Sequence, residues 1–341
     1  MNYFPRTARY DKVMLQVNNL FFREKITFFP FDPFQIIKNN KWGLTTYSEL
    51  AEEYGVTVKD IETAFQSEDG YTIYDGINHT IAYNDTIQVQ GRVRFTLMHE
   101  IGHIYMNHLV DFDETILLRS TLTNAKYKVL ENEANSFARN SLAPVMVVKD
   151  LNINSISDII SKFEISAAAA KVRLDTLILD YRQIFSQYIR FQRENFKDFI
   201  HLSLHSKTCL QCFHYFIEED ALYCPVCSSD NFYKGKGIFE MIYDGYKVDG
   251  MGRAIECPRC GNEEVHYDGD HCKTCGLFLI NKCTNQDTWN GEVQWECGTI
   301  LDGNARYCVK CGNKSTFFDQ GILDDWSIEK EQKEYREKLP F

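Results

Sequence analysis

Five residues, His99-Glu100-Ile101-Gly102-His103, carry the pattern His-Glu-x-x-His. Residues four apart on an α-helix project from nearly the same face, so a helix here aims both imidazoles at one point where a Zn²⁺ ion can sit. Glu100 then lies beside the metal without serving as a ligand. Zinc held by three protein groups keeps a fourth position open and lowers the pKa of a water there to about 7, where a neighbouring carboxylate can take its proton. That is the chemistry of peptide-bond hydrolysis. Phe95, Leu97, Met98, Ile101, Ile104 and Tyr105 make the segment apolar on most sides. The pattern predicts a buried helix, and buried histidines and a buried carboxylate need partners such as a metal.

The third ligand has to come from elsewhere. His108 lies five residues past His103, about 140° around a continuing helix. The metzincin spacing would need glycine at 106 and histidine at 109, where the chain has Met106 and Leu109. A better source is Glu131-Asn132-Glu133-Ala134-Asn135-Ser136-Phe137-Ala138, predicted as a helix that ends near Pro144. Glu131 and Glu133 are about 200° apart on a helix, so only one can face the metal. Glu133 shares its side with Ala134, Phe137 and Ala138, the apolar stripe expected to pack on the histidine helix, and is the expected ligand. Glu131 is the alternative, otherwise read as an exposed acid near a helix start.

All twelve cysteines lie beyond residue 208. Cys209, Cys212, Cys224 and Cys227 form two Cys-x-x-Cys pairs eleven residues apart, and Cys257, Cys260, Cys272 and Cys275 repeat that spacing. In a chain whose first residues show no export signal, such regularity predicts metal sites rather than disulfides. Gly261 and Gly276 follow second cysteines and permit the left-handed backbone such turns want. The last set, Cys283, Cys297, Cys308 and Cys311, has one clean pair, leaving ligand exchange among neighbouring sets as its alternative. The expected cofactors are one catalytic Zn²⁺ and about three structural Zn²⁺, with rubredoxin-like iron a minor alternative for the cysteine sites.

The elements that must position these groups are read as follows. Residues 1–40 form an N-terminal extension in which no chemistry is apparent. Residues 48–61 read as helix, glycine stop at Gly55 and a second helix capped by Thr57; the segment is acidic and lacks a basic recognition helix, which disfavours DNA binding. Tyr71–Tyr74 and Thr80–Tyr83 alternate around Asp75-Gly76 and predict a hairpin whose edge could hold an extended substrate. His79, at its strand end, reads as solvent-facing rather than as a ligand. Apolar residues at helical spacing from Lys171 to about Leu202 predict one long helix, with the domain boundary following it. The expected divisions are a peptidase domain over 41–205, ribbons over 206–235, 250–280 and 281–320, and a solvated helical tail over 321–341.

Net charge is −11 over 341 residues, and residues 208–341 carry 23 acidic against 14 basic side chains. This balance argues against holding nucleic acid without sequence preference. No apolar run approaches a membrane span, so a cytoplasmic protein without membrane contact is expected.

Arg94-Phe95-Thr96 before the histidine motif, then Glu133-Ala134-Asn135-Ser136-Phe137-Ala138, Pro144 and the stretches 163–166 and 169–174, resemble the ImmA/IrrE family of metallo-endopeptidases over roughly residues 40–180. The resemblance implies an α+β fold, a compact gluzincin-like zinc peptidase domain of helices plus a small antiparallel sheet. It implies His99, His103 and Glu133 as ligands, Glu100 as general base, and a helix-turn-helix repressor of a mobile element or stress response as substrate. The cysteine segments resemble an array of zinc ribbons, with 304–312 similar to the closing half of a double ribbon, and are expected to select a substrate or bind a protein partner. The competing reading is a non-catalytic regulator whose ribbons bind nucleic acid or a transcription complex. Glu100 separates the two, because a structural site has no use for a base beside its first histidine.

Overall fold

The computed structural model describes residues 4–111, 124–183, 186–237, 239–266 and 269–337. The chain divides into two compact units, Met1–Ile200 and His201–Phe341. Helix α1 (Tyr10–Arg23) and helix α2 (Pro33–Asn39, capped by Asp32) precede strand β1 (Gly43–Thr46). Helices α3 (Tyr47–Tyr54) and α4 (Val58–Phe65) follow, with Gly55 in the left-handed conformation between them and a capping box at Thr57, as the sequence predicts. Strands β2 (Gly70–Tyr74) and β3 (His79–Tyr83) form the expected hairpin. The sheet order is β1-β3-β2, with β1 parallel to β3, so this sheet is mixed rather than purely antiparallel.

Next come α5 (Gln90–Tyr105), the short α6 (His108–Asp111) and α7 (Asn124–Leu142), then α8 (Val145–Asp150), α9 (Ile156–Phe163), α10 (Ala167–Gln183), α11 (Ser186–Asn195) and α12 (Lys197–His205). The single long helix expected from Lys171 to Leu202 is therefore a series of helices; Ile184 and Phe185 of that pattern lie outside the described residues. Phe196 sits at the turn between α11 and α12, fully buried, and its ring meets Phe21 at 4.9 Å and Phe29 at 4.8 Å. Of the described residues at that spacing, Leu174, Leu177, Tyr181, Tyr188 and Ile189 are half-buried while Val172 and Ile178 are exposed, and spacing alone does not register a turn between two helices.

Residues 1–40 are no appendage. Val13, Val17, Leu20 and Phe21 share one core with Ile81 of β3, Leu97 and Ile101 of α5, and Phe137 of α7. Among the described residues no helix is long and apolar enough to cross a membrane.

The second unit is held by little regular structure. Strands β4 (Ser206–Cys209), β5 (Tyr215–Ile217) and β6 (Phe232–Lys234) form an antiparallel sheet in the order β5-β4-β6, and β7 (Gln286–Trp289) pairs with β8 (Glu292–Glu296). Helices α13 (Thr316–Asp319) and α14 (Trp326–Glu337) close the unit. The first and third cysteine sets share one core with Phe216, Val226, Leu301 and Val309, whereas the second set packs around Val265, Leu277 and Leu279. The amides of Leu222 and Tyr223 donate to Val309 O, and those of Arg306 and Tyr307 donate to Pro225 O, so the turns of the first and third sets bond each other reciprocally. Helix α14 is not merely solvated. Trp326 packs on this core, and Glu329, 7 % exposed, accepts from Arg306 Nη2 and from the Asp244 amide, each at 2.6 Å.

Two outcomes follow from this packing. Phe137→Ala should cost about 3–5 kcal/mol, read as a shifted denaturant transition in far-ultraviolet circular dichroism, which reports mainly the helix-rich first unit; a loss below about 1 kcal/mol would contradict the packing. In the zinc-loaded chain, Cys308→Ser should expose the thiols of the first set as well as the third to a thiol reagent while the second stays protected. Equal exposure of all three sets would contradict the shared core.

Candidate active site

The site exists because α5 and α7 approach closely. A Cβ on Gly102 would stand 3.1 Å from Phe137 Cδ1 and 3.3 Å from the Cα of Ala134, so a larger residue would push the helices apart. Ala134, Phe137 and Ala138 are fully buried, and the apolar stripe predicted on α7 does face α5. At the edge of that contact, His99 Nε2 and His103 Nε2 are 3.0 Å apart. Glu131 reaches the same point, with Oε2 3.4 Å from His99 Nε2 and Oε1 3.3 Å from His103 Nε2.

Glu133 is not there, which corrects the sequence expectation. Its carboxylate is fully buried on the other side of α7, where it accepts from the Arg9 amide at 2.7 Å, Arg9 Nε at 2.9 Å and Arg9 Nη2 at 2.8 Å, and lies 2.8 Å from His108 Nε2. The centre of an apolar stripe packs against its neighbour, whereas a ligand open to substrate belongs at the rim. Asn135, one turn after Glu131, marks that rim by lying 3.1 Å from His99 Nδ1 through its Oδ1.

The donor set fits zinc. Two nitrogen or oxygen donors about 2.0–2.1 Å from a tetrahedral zinc stand about 3.3 Å apart, close to all three separations found. Asn135 has only an acceptor to offer at Oδ1, so His99 carries its proton on Nδ1 and leaves Nε2 bare for the metal. The electrostatics agree. Burial pushes the His99 pKa down, but the hydrogen bond and charge of Glu131 outweigh it and raise it to about 9. Burial likewise pushes Glu131 up, and hydrogen bonds from His103 and His99 hold it well below the usual carboxylate range. The cluster favours positive charge at its centre.

Glu100 is 5 % exposed and accepts from Thr72 Oγ1 at 2.7 Å, which fixes the carboxylate against β2. It lines a cleft of about 220 Å³ together with His99, His103, Glu131, Tyr71 and Phe95. The wall formed by β2 is the edge of its sheet. Bonds from Asn84 N–H to Asp69 O and from Asp75 N–H to Asn78 O bracket the β2–β3 ladder. Antiparallel alternation then turns the backbone of Tyr71 and Ile73 toward β3 and that of Thr72 and Tyr74 toward the open edge. His79, expected in solvent, is half-buried and stacks on Tyr74 at 4.6 Å.

His108 is a partner rather than a ligand. Its Nδ1 lies 2.9 Å from His103 Nδ1 and its ring is fully buried. The register argument assumed a helix continuing to residue 108, but α5 ends at Tyr105 and Asn107 turns left-handed at φ 58°, so His108 starts a new helix beneath His103. An asparagine just past the motif was the signal available in the sequence. Burial drives the His108 pKa down to about 3 despite the hydrogen bond to Glu133. Glu133, which burial would raise, is held down to about 2 by Arg9. Arg9 and Thr72 carry no sequence pattern that would have found them.

The twelve cysteines gather into the three expected sets of four. Sulfur separations are 3.4 Å for Cys209–Cys227, 3.5 Å for Cys212–Cys224, 3.5 Å for Cys257–Cys275, 3.6 Å for Cys260–Cys272, 3.4 Å for Cys283–Cys311 and 3.8 Å for Cys297–Cys308. A disulfide would place them about 2.05 Å apart, and four thiolates about 2.3 Å from a tetrahedral zinc stand about 3.8 Å apart, so the sets fit zinc. Gly261 and Gly276 are left-handed as expected, at φ 70° each; in the first set Phe213 and Ser228 occupy the equivalent positions at φ 60° and 61°.

No curated protein matches the chain. The matched family segment begins within α3, ends within α10 and contains His99, Glu100, His103 and Glu131, while Arg9 and the cysteine sets lie outside it. The donor triangle and its adjacent carboxylate thus fall within the segment, residues 51–175, that matches the family model of the IrrE N-terminal-like domain, Peptidase M78.

Proposed function

We propose that the chain is a zinc-dependent endopeptidase that cuts a regulatory protein, with its cysteine-rich unit selecting the substrate or a protein partner. The observation that supports it best is the donor triangle of His99, His103 and Glu131 opening onto the same cleft as Glu100. A peptidase family match supports protein as the substrate class, and the resemblance read from the sequence motifs suggests a helix-turn-helix repressor. In this reading His99, His103 and Glu131 hold the catalytic zinc, and the three cysteine sets hold three structural zinc ions. Zinc bound there would supply Lewis acidity, polarising a carbonyl and making a water acidic enough to lose a proton near neutral pH.

The chain's own residues do the rest. Glu100 takes a proton from the attacking water and delivers it to the leaving amine, with Thr72 holding the carboxylate in place. The outward backbone groups of Thr72 and Tyr74 bind an extended stretch of substrate as an added strand. A substrate must therefore present a loop or unfolded segment, which favours single cuts in a particular protein over general digestion.

The second unit is read as a protein-binding module. Hairpin β7–β8 is exposed along its whole length, with Trp289 71 % and Trp295 54 % accessible and Asp287, Glu292 and Glu296 beside them. An acidic, aromatic surface suits a protein partner better than phosphates.

Mass spectrometry of repressors encoded beside the gene, incubated with the protein, should find one cut that Glu100→Gln slows about 10²–10⁴-fold while zinc content is unchanged. Cutting at the unaltered rate by Glu100→Gln would overturn the mechanism. Anisotropy titration of the full chain against random-sequence duplex at about 0.15 M salt should show no submicromolar binding; tight, steeply salt-dependent binding would favour the regulator reading instead.

A further inference from the structure

We propose that Arg9, Glu133 and His108 form a positioning relay that fixes the tautomer and ring orientation of His103, so that the N-terminal segment of the chain sets the metal affinity of the site. The proposal rests on the reading of His99, His103 and Glu131 as metal donors.

Proton order along the four side chains is fixed from the Glu133 end. Glu133 faces three N–H groups of Arg9, at 2.7, 2.9 and 2.8 Å, and the His108 ring nitrogen at 2.8 Å. A carboxylate surrounded by donors acts as acceptor only, so the proton in the fourth bond sits on His108 Nε2. In the neutral imidazole the other nitrogen is then bare. His108 Nδ1 therefore accepts, and the proton in the 2.9 Å contact belongs to His103 Nδ1. That leaves His103 Nε2 with a free lone pair, directed toward His99 Nε2 and Glu131. Each bond in the series dictates the next, from a guanidinium near residue 1 to a metal-facing nitrogen.

A bland alternative is that His108 and Glu133 merely satisfy each other in the core. Burial of both side chains at 0 % exposure requires partners, but it does not require that the partner of the second His108 nitrogen be His103. Nor does it explain why α1 is anchored at this point. Lys12 Nζ, one turn after Arg9, donates to Met106 O at 2.9 Å and pairs with Asp111 at 3.5 Å, so α1 clasps the end of α5 on both sides of the turn that carries His108. His99 has its own orienting partner in Asn135. The two histidines are thus held from opposite sides, His99 by α7 and His103 by the N-terminal segment through α6. Outer partners of metal-bound histidines commonly change metal affinity about 10–100-fold when removed.

The test uses the full zinc-loaded chain and two readouts. Competition with a chromophoric chelator measures zinc at the histidine site, while thiol reactivity confirms that the cysteine sets keep their metal. His108→Phe fills the volume without an acceptor and should weaken that site about 10–100-fold. His108→Gln, whose amide oxygen accepts and whose amide nitrogen donates, should recover most of the loss. Arg9→Gln, at the partly exposed end of the relay, carries the same direction at smaller size should His108→Phe fail to fold. The nitrogen chemical shifts of ¹⁵N-labelled histidines should show His103 protonated at Nδ1 and His108 at Nε2. Wild-type affinity in both His108→Phe and Arg9→Gln, or a proton on His108 Nδ1, would overturn the relay alone. If His99→Ala binds as much chelator-accessible zinc as the unaltered chain, the metal-site reading fails and the relay with it.

Discussion

Everything at the candidate active site depends on how near α7 can come to α5. Glycine at 102 and alanine at 134 remove the side chains that would hold the helices apart, and Phe137 fills the space alongside them. Only at that distance does a carboxylate one turn before Asn135 reach two imidazoles on the neighbouring helix. The interaction is a packing constraint with an electrostatic result. Apolar burial draws the helices together, and His99, His103 and Glu131 are left at the edge of the contact with no room to separate.

Placement at the edge also divides labour between the two acids of α7. Glu131 keeps 24 % side-chain exposure and opens onto the cleft, whereas Glu133, two residues on, is sealed behind the helix and neutralised by Arg9. One helix thus presents one carboxylate to the cleft and the other to the core, and the roughly 200° between them keeps the two environments apart. In the second unit the same economy takes another form. Its strands are only three to five residues long, and clustered thiolates would couple its folding to metal uptake. Two of its three cysteine sets are joined into one core by reciprocal backbone bonds, so they behave as a single structural element.

Much of this was legible in the sequence. Spacing alone placed His99, Glu100 and His103 on one helix, the β2–β3 hairpin before it, the Thr57-capped helix after Gly55, and all three cysteine sets. These are local patterns, set by periodicities of two, three and four residues or by fixed turns. What was missed is non-local. The choice of Glu131 over Glu133 depends on where the helix contact ends, which a helical wheel does not contain. The pairing of β1 with β3 joins residues 43–46 to 80–83 across two helices, and the burial of Glu329 needs Arg306, 23 residues away. His108 was lost to an assumption of helix continuity that Asn107 breaks.

The central claim is that His99, His103 and Glu131, and not Glu133, hold a catalytic zinc ion. Anomalous scattering at the zinc edge from crystals of the full chain tests it most directly, since each zinc appears as a separate peak. The account predicts one peak about 2.0–2.2 Å from His99 Nε2, His103 Nε2 and a Glu131 oxygen, with Glu133 still bonded to Arg9. A fully zinc-loaded crystal with peaks only among the cysteines, or with a peak bound by Glu133 or His108, would contradict it.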